Sequence, residues 1–136
     1  MRLALDVMGG DNAPDAIVKG CVLALEGLAS DDQLVLVGNG PLVTELLAEH
    51  NCRDCRIEVQ HATEVISMAE SPTSAVRQKK DSSLVQMARL GSPKASPNER
   101  CDAVISAGNT GACVAAAQMN MKRLHGVHRP GLAVTV

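Results

Sequence analysis

The chain has 136 residues, 46% of them hydrophobic, no Phe, Trp or Tyr, and a formal net charge of -2. This length allows one domain with a core, which Leu, Val, Ile, Ala and Met must fill. The lack of aromatic stacking surfaces and the slightly negative charge argue against nucleic-acid binding and against a general attraction to anionic membranes, so any anion site must be local.

Strand-like and helix-like segments alternate along the chain. The first apolar run, Arg2 to Met8, is interrupted by Asp6 and predicts a buried strand. Pro14 suits the first turn of the helix that follows, which we expect to reach about Ala29. The further predicted strands are 33–37, 56–60, a strand that ends at 106, and 132–136, and the further predicted helices are 41–47, 73–90 in one or two pieces, and 110–124.

This alternation favours right-handed βαβ units around a mostly parallel sheet. The strands are nearly continuous apolar runs, as expected of a sheet covered on both faces. The sequence therefore predicts an α/β fold with three layers, α/β/α. The run Leu132 to Val136 reads as a core strand at the end of the chain. We therefore expect residues 1–136 to be the N-terminal part of a single, longer α/β domain.

The segment 104–112, Val-Ile-Ser-Ala-Gly-Asn-Thr-Gly-Ala, predicts a strand, a tight turn and a helix N-terminus. Free backbone N–H groups and the positive end of the helix dipole suit an anion at such a turn. Asn109 or Thr110 can cap the helix, and Gly108 and Gly111 let a ligand approach the backbone. An ordinary capped turn explains the same pattern equally well.

A second candidate region is the basic block at 77–83. Arg77 and Lys80 are three residues apart and would share a helical face, whereas Lys79 would point about 100° away. These cations suit a phosphate or an acidic partner, although a solvated helix end has the same pattern. Ser82 and Ser83 suit either a ligand oxygen or a helix cap.

A third candidate region is the first loop. Asp6 is expected at the carboxyl end of a parallel strand, where ligands bind in such sheets. Gly9 and Gly10 allow a close backbone approach. Asp6 and Asp11 would repel phosphate, so they suit orienting donors, accepting a proton or holding a cation, and Asp11 or Asn12 is equally suited to an N-cap.

Other features are less informative about chemistry. His50, Cys52, Cys55 and His61 resemble half of a zinc site, but a second Cys-x-x-Cys pair is absent, so we expect no metal. The five cysteines are odd in number and do not indicate a disulfide framework. Asp6 stands where a signal peptide would need its apolar core, and no run approaches transmembrane length. A cytoplasmic protein is expected.

Four blocks in this order resemble the PlsX family of phosphate acyltransferases. The blocks are Ala4-Leu5-Asp6-Val7-Met8-Gly9-Gly10-Asp11-Asn12-Ala13-Pro14, Val76-Arg77-Gln78-Lys79-Lys80-Asp81-Ser82-Ser83, Ser106-Ala107-Gly108-Asn109-Thr110-Gly111-Ala112 and His128-Arg129-Pro130. The resemblance covers nearly all of this chain, but only the N-terminal part of a typical family member. The loop 91–98 is more elaborate than the family pattern.

The resemblance implies transfer of a fatty acyl group from acyl carrier protein to inorganic phosphate, giving an acyl phosphate for phospholipid synthesis. It also implies a fold similar to phosphotransacetylases and isopropylmalate dehydrogenases, no cofactor, a homodimer, and peripheral membrane contact through the C-terminal part. We expect Asn109, Lys80 and Asp6 to be catalytic. The expected phosphate-binding or substrate-binding residues are Gly9, Gly10, Asp11, Arg77, Lys79, Ser82, Ser83, Ser106, Gly108, Thr110 and Gly111.

Two other functions remain open. Gly38-x-Gly40 lies between a strand and a helix, as in a nicotinamide-dependent dehydrogenase, but Pro41 follows it and the third glycine is replaced by Val43. The open strand at Val136 instead suggests a non-catalytic fragment or assembly half of the acyltransferase, which would expose apolar faces.

Overall fold

The computed structural model describes residues 1–129 and 131. Within these residues, strands and α-helices alternate, except that two helices follow the third strand. The elements are β1 (Arg2–Asp6), α1 (Asp15–Ala24), β2 (Gln33–Gly38), α2 (Gly40–Glu49), β3 (Ile57–His61), α3 (Pro72–Gln78), α4 (Ser83–Leu90), β4 (Ala103–Ser106) and α5 (Thr110–Asn120).

The strands form one parallel sheet in the order β3-β2-β1-β4. The chain first adds β2 and then β3 on one side of β1. It then crosses over the sheet and adds β4 on the other side of β1. The connections that follow β1 and β4 therefore lead to helices on opposite faces of the sheet. In open α/β sheets, ligands bind at the carboxyl ends of the strands at such a switch point.

Helices cover both faces of the sheet, which confirms the predicted three-layer α/β/α fold. On one face, α1 and α2 pack against alternate apolar side chains of β1 and β2, with Val7, Val18 and Leu36 fully buried. On the other face, Met87 of α4 packs against Ala4, Val35 and Val37, and α3, α4 and α5 share a cluster of buried side chains. The many small residues allow α3 and α4 to pack closely against α5.

Several predicted boundaries were wrong by a few residues. The first strand ends at Asp6, not at Met8, and α1 ends at Ala24, after which Leu25–Gly27 tighten into a 3-10 helix. Helix α5 ends at Asn120, not near Leu124, and Lys122 adopts a left-handed φ of 69° that a helix cannot continue through.

The predicted helical region 73–90 is two helices, because Lys79 leaves helical geometry and Ser82 caps α4 by accepting a hydrogen bond from Val85 N. The predicted strand 132–136 lies outside the described residues. No helix in the described part of the chain is long and apolar enough to cross a membrane.

Candidate functional site

The candidate site lies at the carboxyl ends of β1 and β4. Asp6 and Ser106 are register partners there, although they are far apart in the sequence. The Ser106 hydroxyl donates to Asp6 Oδ2 at 2.9 Å and accepts from Gly108 N at 3.1 Å. Asp6 Oδ1 accepts from Met8 N at 3.2 Å, and the Asp6 side chain is only 2% exposed. This buried carboxylate therefore links the loops that follow the two strands.

Two glycines bring those loops into backbone contact. A Cβ atom on Gly9 would lie 2.6 Å from Asp6 Oδ2 and 3.0 Å from Gly108 Cα. A Cβ atom on Gly108 would in turn lie 3.1 Å from Gly9 Cα. Gly10, with a φ of 124°, turns the first loop beside Ala107 in a conformation that L side chains rarely adopt. The glycine requirement at these positions is therefore steric.

Asn109 is the N-cap of α5. Its Oδ1 accepts from Ala112 N at 3.0 Å, which confirms that Asn109 can cap this helix. Its Nδ2 donates to the carbonyl oxygens of Ser67, Met68 and Glu70 at 3.1–3.3 Å. Because both ends of the amide have protein partners, Asn109 positions the 67–70 loop over the start of α5.

The first amide groups of α5 differ in their partners. Ala112 N bonds to the cap side chain and Cys113 N to the Asn109 carbonyl. Within the described part of the chain, the amides of Thr110 and Gly111 have no protein hydrogen-bond partner. Both residues are exposed. Two backbone donors at the positive end of a helix dipole can bind an oxygen-rich anion.

Lys79 helps to hold the 65–70 loop. Its Nζ donates to the Val65 carbonyl at 2.7 Å and to Glu70 Oε1 at 2.8 Å. Glu70 Oε1 also accepts from Ser67 N at 2.7 Å. The ammonium of Lys79 and the amide of Ser67 together hold the pKa of the Glu70 carboxyl below its usual value. Lys79 therefore acts on the loop beside Asn109.

Arg77 and Lys80 lie elsewhere. They line a depression of about 320 Å³ with Arg89 and with Met119 and Asn120, which are at the last turn of α5. The first and last residues of α5 are about 15 Å apart at 1.5 Å per residue. The argument that Arg77 and Lys80 share a helical face was wrong, because α3 ends at Gln78. Their predicted contact with phosphate stays a prediction.

The remaining predicted residues also separate. Ser82 and Ser83 are buried, and the Ser82 hydroxyl donates to the Lys79 carbonyl at 2.8 Å while capping α4. Asp11 is exposed. Neither Asp11 nor Asn12 caps α1, whose N-cap residue is Pro14. The structure thus brings together Asp6, Gly9, Gly10, Ser106, Gly108, Asn109, Thr110 and Gly111.

The fold also determines how far apart the potential metal ligands and the thiols lie. Among the described residues, no three His, Cys, Asp or Glu side chains lie close enough together to hold a metal ion. Burial raises the pKa of the Cys21 thiol to about 11, and those of Cys101 and Cys113 are also raised by burial. These thiols are therefore poor nucleophiles at neutral pH.

The sequence did not reveal the 65–70 loop as part of the site. This segment has no periodic apolar pattern, and the carbonyl groups that Asn109 binds belong to the backbone, which is common to every residue type. The sequence feature that comes closest to predicting this contact is the side-chain amide of Asn109. Its oxygen can cap a helix while its nitrogen donates to a loop.

Comparisons with known proteins bear on this geometry. A sequence model of the family described as "Fatty acid synthesis protein" matches residues 1–136. The chain is 47% identical over 135 residues to a phosphate acyltransferase of Geotalea daltonii, covering 98% of this chain and 36% of that protein. It is 43% and 39% identical over 136 residues to phosphate acyltransferases of Bacillus licheniformis and Dictyoglomus turgidum, covering 100% of this chain and 38% of each. The chain thus spans little more than a third of the length of these curated relatives.

Proposed function

The chain belongs to the fatty acid synthesis protein family, the PlsX family that its sequence blocks resemble, and from this membership we propose that it forms the phosphate-binding part of an acyltransferase. In this proposal, the full protein moves a fatty acyl group from acyl carrier protein to inorganic phosphate. The product is an acyl phosphate for phospholipid synthesis. The observation that carries the proposal is the pair of amides at the start of α5 that have no hydrogen-bond partner among the described residues, beside two glycine loops at the sheet's switch point.

Acyl transfer to phosphate requires a held nucleophile and a stabilised oxyanion. A phosphate oxygen can attack the thioester carbon directly, so no side-chain nucleophile is required. The Thr110 and Gly111 amides and the Thr110 hydroxyl would donate to phosphate. Holding phosphate near the thioester could supply part of the about 7–11 kcal/mol that positioning can contribute. One well-placed oxyanion donor typically contributes about 3 kcal/mol.

Asp6 acts in this proposal as a positioning residue. A free carboxylate next to phosphate would repel it, but both oxygens of Asp6 accept hydrogen bonds, from Ser106 and from Met8. The Ser106 hydroxyl is thereby aimed at Gly108 N. Asp6 thus fixes the turn whose next amides would face the anion.

Acyl carrier protein is proposed as the donor, and a basic surface supports it. Three depressions of about 320, 350 and 380 Å³ share lining residues, and none of the described residues that line them is acidic. Their exposed cations form the basic surface, Arg77, Lys80, Arg89, Lys94, Lys122 and Arg123. In a chain with 13 Lys and Arg against 15 Asp and Glu, this clustering suits an acidic protein partner.

The homodimer and peripheral membrane contact are proposed from the family resemblance, which also agrees with the cytoplasmic location expected from the sequence. The non-catalytic alternative, a fragment or assembly half of the acyltransferase, stays a prediction. The dehydrogenase alternative is weaker, because His61 Nδ1 accepts from Gly40 N at 3.0 Å and so uses an amide that a dinucleotide phosphate would need.

The test replaces one amide donor. Thr110→Pro removes the Thr110 N–H and its hydroxyl, whereas Thr110→Ala removes the hydroxyl alone. Proline is favoured at the first helical position, and Asn109 already has the extended ψ of 105° that suits a residue before proline. Both variants should therefore keep their fold, as circular dichroism would verify.

The assay is phosphate-dependent acyl-phosphate formation from acyl carrier protein thioester, trapped with hydroxylamine. We expect Thr110→Pro to lower kcat/KM for phosphate by about 10²- to 10³-fold, and Thr110→Ala by much less. Normal turnover in a folded Thr110→Pro variant would remove the anion site from this turn. If the 136-residue chain is inactive, the same variants are compared in a protein of the relatives' full length.

A further inference from the structure

The 65–70 loop is attached to the start of α5 at two places. Asn109 Nδ2 donates to three carbonyl oxygens of the loop. Directly after the loop, Pro72 packs on Gly111, because a Cβ atom on Gly111 would lie only 2.7 Å from Pro72 Cγ. The residues that precede and contain the amides proposed to bind phosphate therefore touch this loop and the residue that follows it.

An ion pair between Lys79 and Glu70 holds the loop from the side of α3. Lys79 Nζ donates to Glu70 Oε1 and to the Val65 carbonyl, and the same Glu70 oxygen accepts from Ser67 N. The side chains of Lys79 and Glu70 are 33% and 31% exposed, so the pair is partly shielded from solvent. One carboxylate oxygen thus connects the middle of the loop to a lysine that also binds the beginning of the loop.

Glu70 is an acid beside a site proposed to bind an anion. Its carbonyl oxygen accepts from Asn109 Nδ2 at 3.1 Å, and Asn109 directly precedes the first amides of α5. The hydrogen bonds from Lys79 and Ser67 hold the pKa of the Glu70 carboxyl below its usual value, so Glu70 is charged at neutral pH. A carboxylate near phosphate weakens phosphate binding by repulsion. The contribution of Glu70 to this site therefore comes from the contacts that it makes, not from its charge.

The segment before the loop is held separately by Asp81. Asp81 Oδ2 accepts from Thr63 N at 3.1 Å and from the Thr63 hydroxyl, and Asp81 Oδ1 accepts from Gln86 Nε2. Within the loop, Ile66 is 5% exposed and packs in the cluster that α3, α4 and α5 share. Loss of the pair between Lys79 and Glu70 should therefore loosen the loop and leave the fold intact.

We propose that Glu70 and Lys79 are positioning residues for the phosphate site. Together they hold the 65–70 loop against Asn109 and Gly111, and so fix the direction of the first amides of α5. Lys79 does not itself contact phosphate in this arrangement. The inference rests on the proposed function and deepens it, because it adds an acidic residue that strengthens phosphate binding. Opposite charge changes at residues 70 and 79 should then have the same effect.

The test is a titration of the ¹⁵N-labelled chain with inorganic phosphate, in which NMR follows the amides of Thr110 and Gly111. Glu70→Ala removes the acceptor of the pair, and Lys79→Met removes the donor. Each should raise the Kd for phosphate about tenfold, the effect of weakening one hydrogen bond to a charged group. The double variant should bind no more weakly than either single variant, because each change breaks the same pair.

Glu70→Gln separates positioning from charge. Glutamine keeps an oxygen acceptor for Lys79 and loses the charge, so its Kd should lie between those of the parent chain and Glu70→Ala. If Glu70 acted on phosphate through its charge alone, both substitutions would tighten binding equally. Glu45→Ala and Lys19→Met are the controls, because these residues are exposed on α2 and α1, on the other face of the sheet.

Hydrogen exchange gives a second measurement that does not depend on phosphate. Amides of the 65–70 loop should exchange faster in Glu70→Ala and Lys79→Met than in the controls, while circular dichroism stays that of the parent chain. Unchanged loop exchange, or phosphate binding that Glu70→Ala leaves unchanged or tightens, overturns the inference while the proposed function stands. If phosphate does not shift the amides of Thr110 and Gly111 in the parent chain, the proposed phosphate site is contradicted, and the inference with it.

Discussion

Gly9 and Gly108 hold the two loops of the candidate site in contact because neither has a side chain. We predict that Gly9→Ala destabilises the protein by about 1–3 kcal/mol, since the new Cβ would overlap Asp6 Oδ2 and the Gly108 backbone. Gly20→Ala is the matched control. It meets no atom and lies within α1, so it should stabilise by about 0.5–1 kcal/mol. Urea unfolding measures the free energy of unfolding of both variants. Equal changes in that free energy would show that the two loops can move apart without destabilising the protein.

Single residues also show what the sequence could predict. Asp6 was placed correctly at the carboxyl end of β1, although the strand was predicted to continue to Met8 and ends at Asp6. The contact between Asp6 and Ser106 could not be predicted from the sequence, because it depends on which strands are neighbours in the sheet. Arg77 and Lys80 were grouped on one helical face by their spacing, but α3 ends at Gln78, so the two residues line one depression without sharing a helix.

At the scale of elements, two helices begin with the same cap residue in different surroundings. Asn39 Oδ1 accepts from Leu42 N and is exposed at the start of α2, whereas Asn109 also donates to three carbonyl groups. We predict that Asn39→Asp changes the free energy of unfolding by less than about 0.5 kcal/mol, since a carboxylate still caps the helix.

Asn109→Asp should instead destabilise by at least about 2 kcal/mol, because an acceptor would face three carbonyl oxygens. Thermal unfolding compares the two variants, and hydrogen exchange should show faster exchange of amides in the 65–70 loop for Asn109→Asp only. If both aspartate variants unfold at the same temperature, the 65–70 loop is held by Lys79 and not by Asn109.

The order of strands and helices could be predicted from the sequence because the two have different apolar periodicities. Their first and last residues could not be predicted as well, because these depend on local backbone geometry. The end of α5 is set by the left-handed Lys122, a conformation that lysine does not usually adopt and that no composition rule predicts. Helix α3 ends where the backbone of Lys79 leaves helical geometry. The side chain of Lys79 bonds instead to the 65–70 loop.

For the whole molecule, acid should weaken the fold through paired carboxylates. Arg56 binds both oxygens of Asp54, at 2.8 and 3.0 Å, and holds the pKa of that carboxyl down from 3.8 to about 2. A carboxyl group whose pKa is lower in the folded protein than in the unfolded chain stabilises the fold at pH values above its ordinary pKa. This stabilisation is lost as the pH falls towards 2. Hydrogen bonds also lower the pKa values of Glu70 and Asp81.

We therefore predict that the free energy of unfolding falls as the pH drops from about 4 to about 2. The fall should be smaller in Asp54→Asn than in the parent chain. Asp31→Asn, which removes an exposed carboxylate outside this pair, serves as the control. Urea titrations at several pH values give the comparison, and parallel curves for parent and Asp54→Asn would contradict the assignment.

The contact between Asp6 and Ser106 joins residues 100 positions apart. A chain made from its N-terminus has β1 first and β4 last among the described strands, so β1 pairs with β2 while its other edge waits. Nascent chains that end before β4 therefore lack the turn at 106–111 and the contact between Asp6 and Ser106. If the proposed phosphate site is correct, phosphate would bind only chains whose β4 has docked and would favour that docked state by mass action. The candidate site is thus assembled last among the described strands, when β4 pairs with β1.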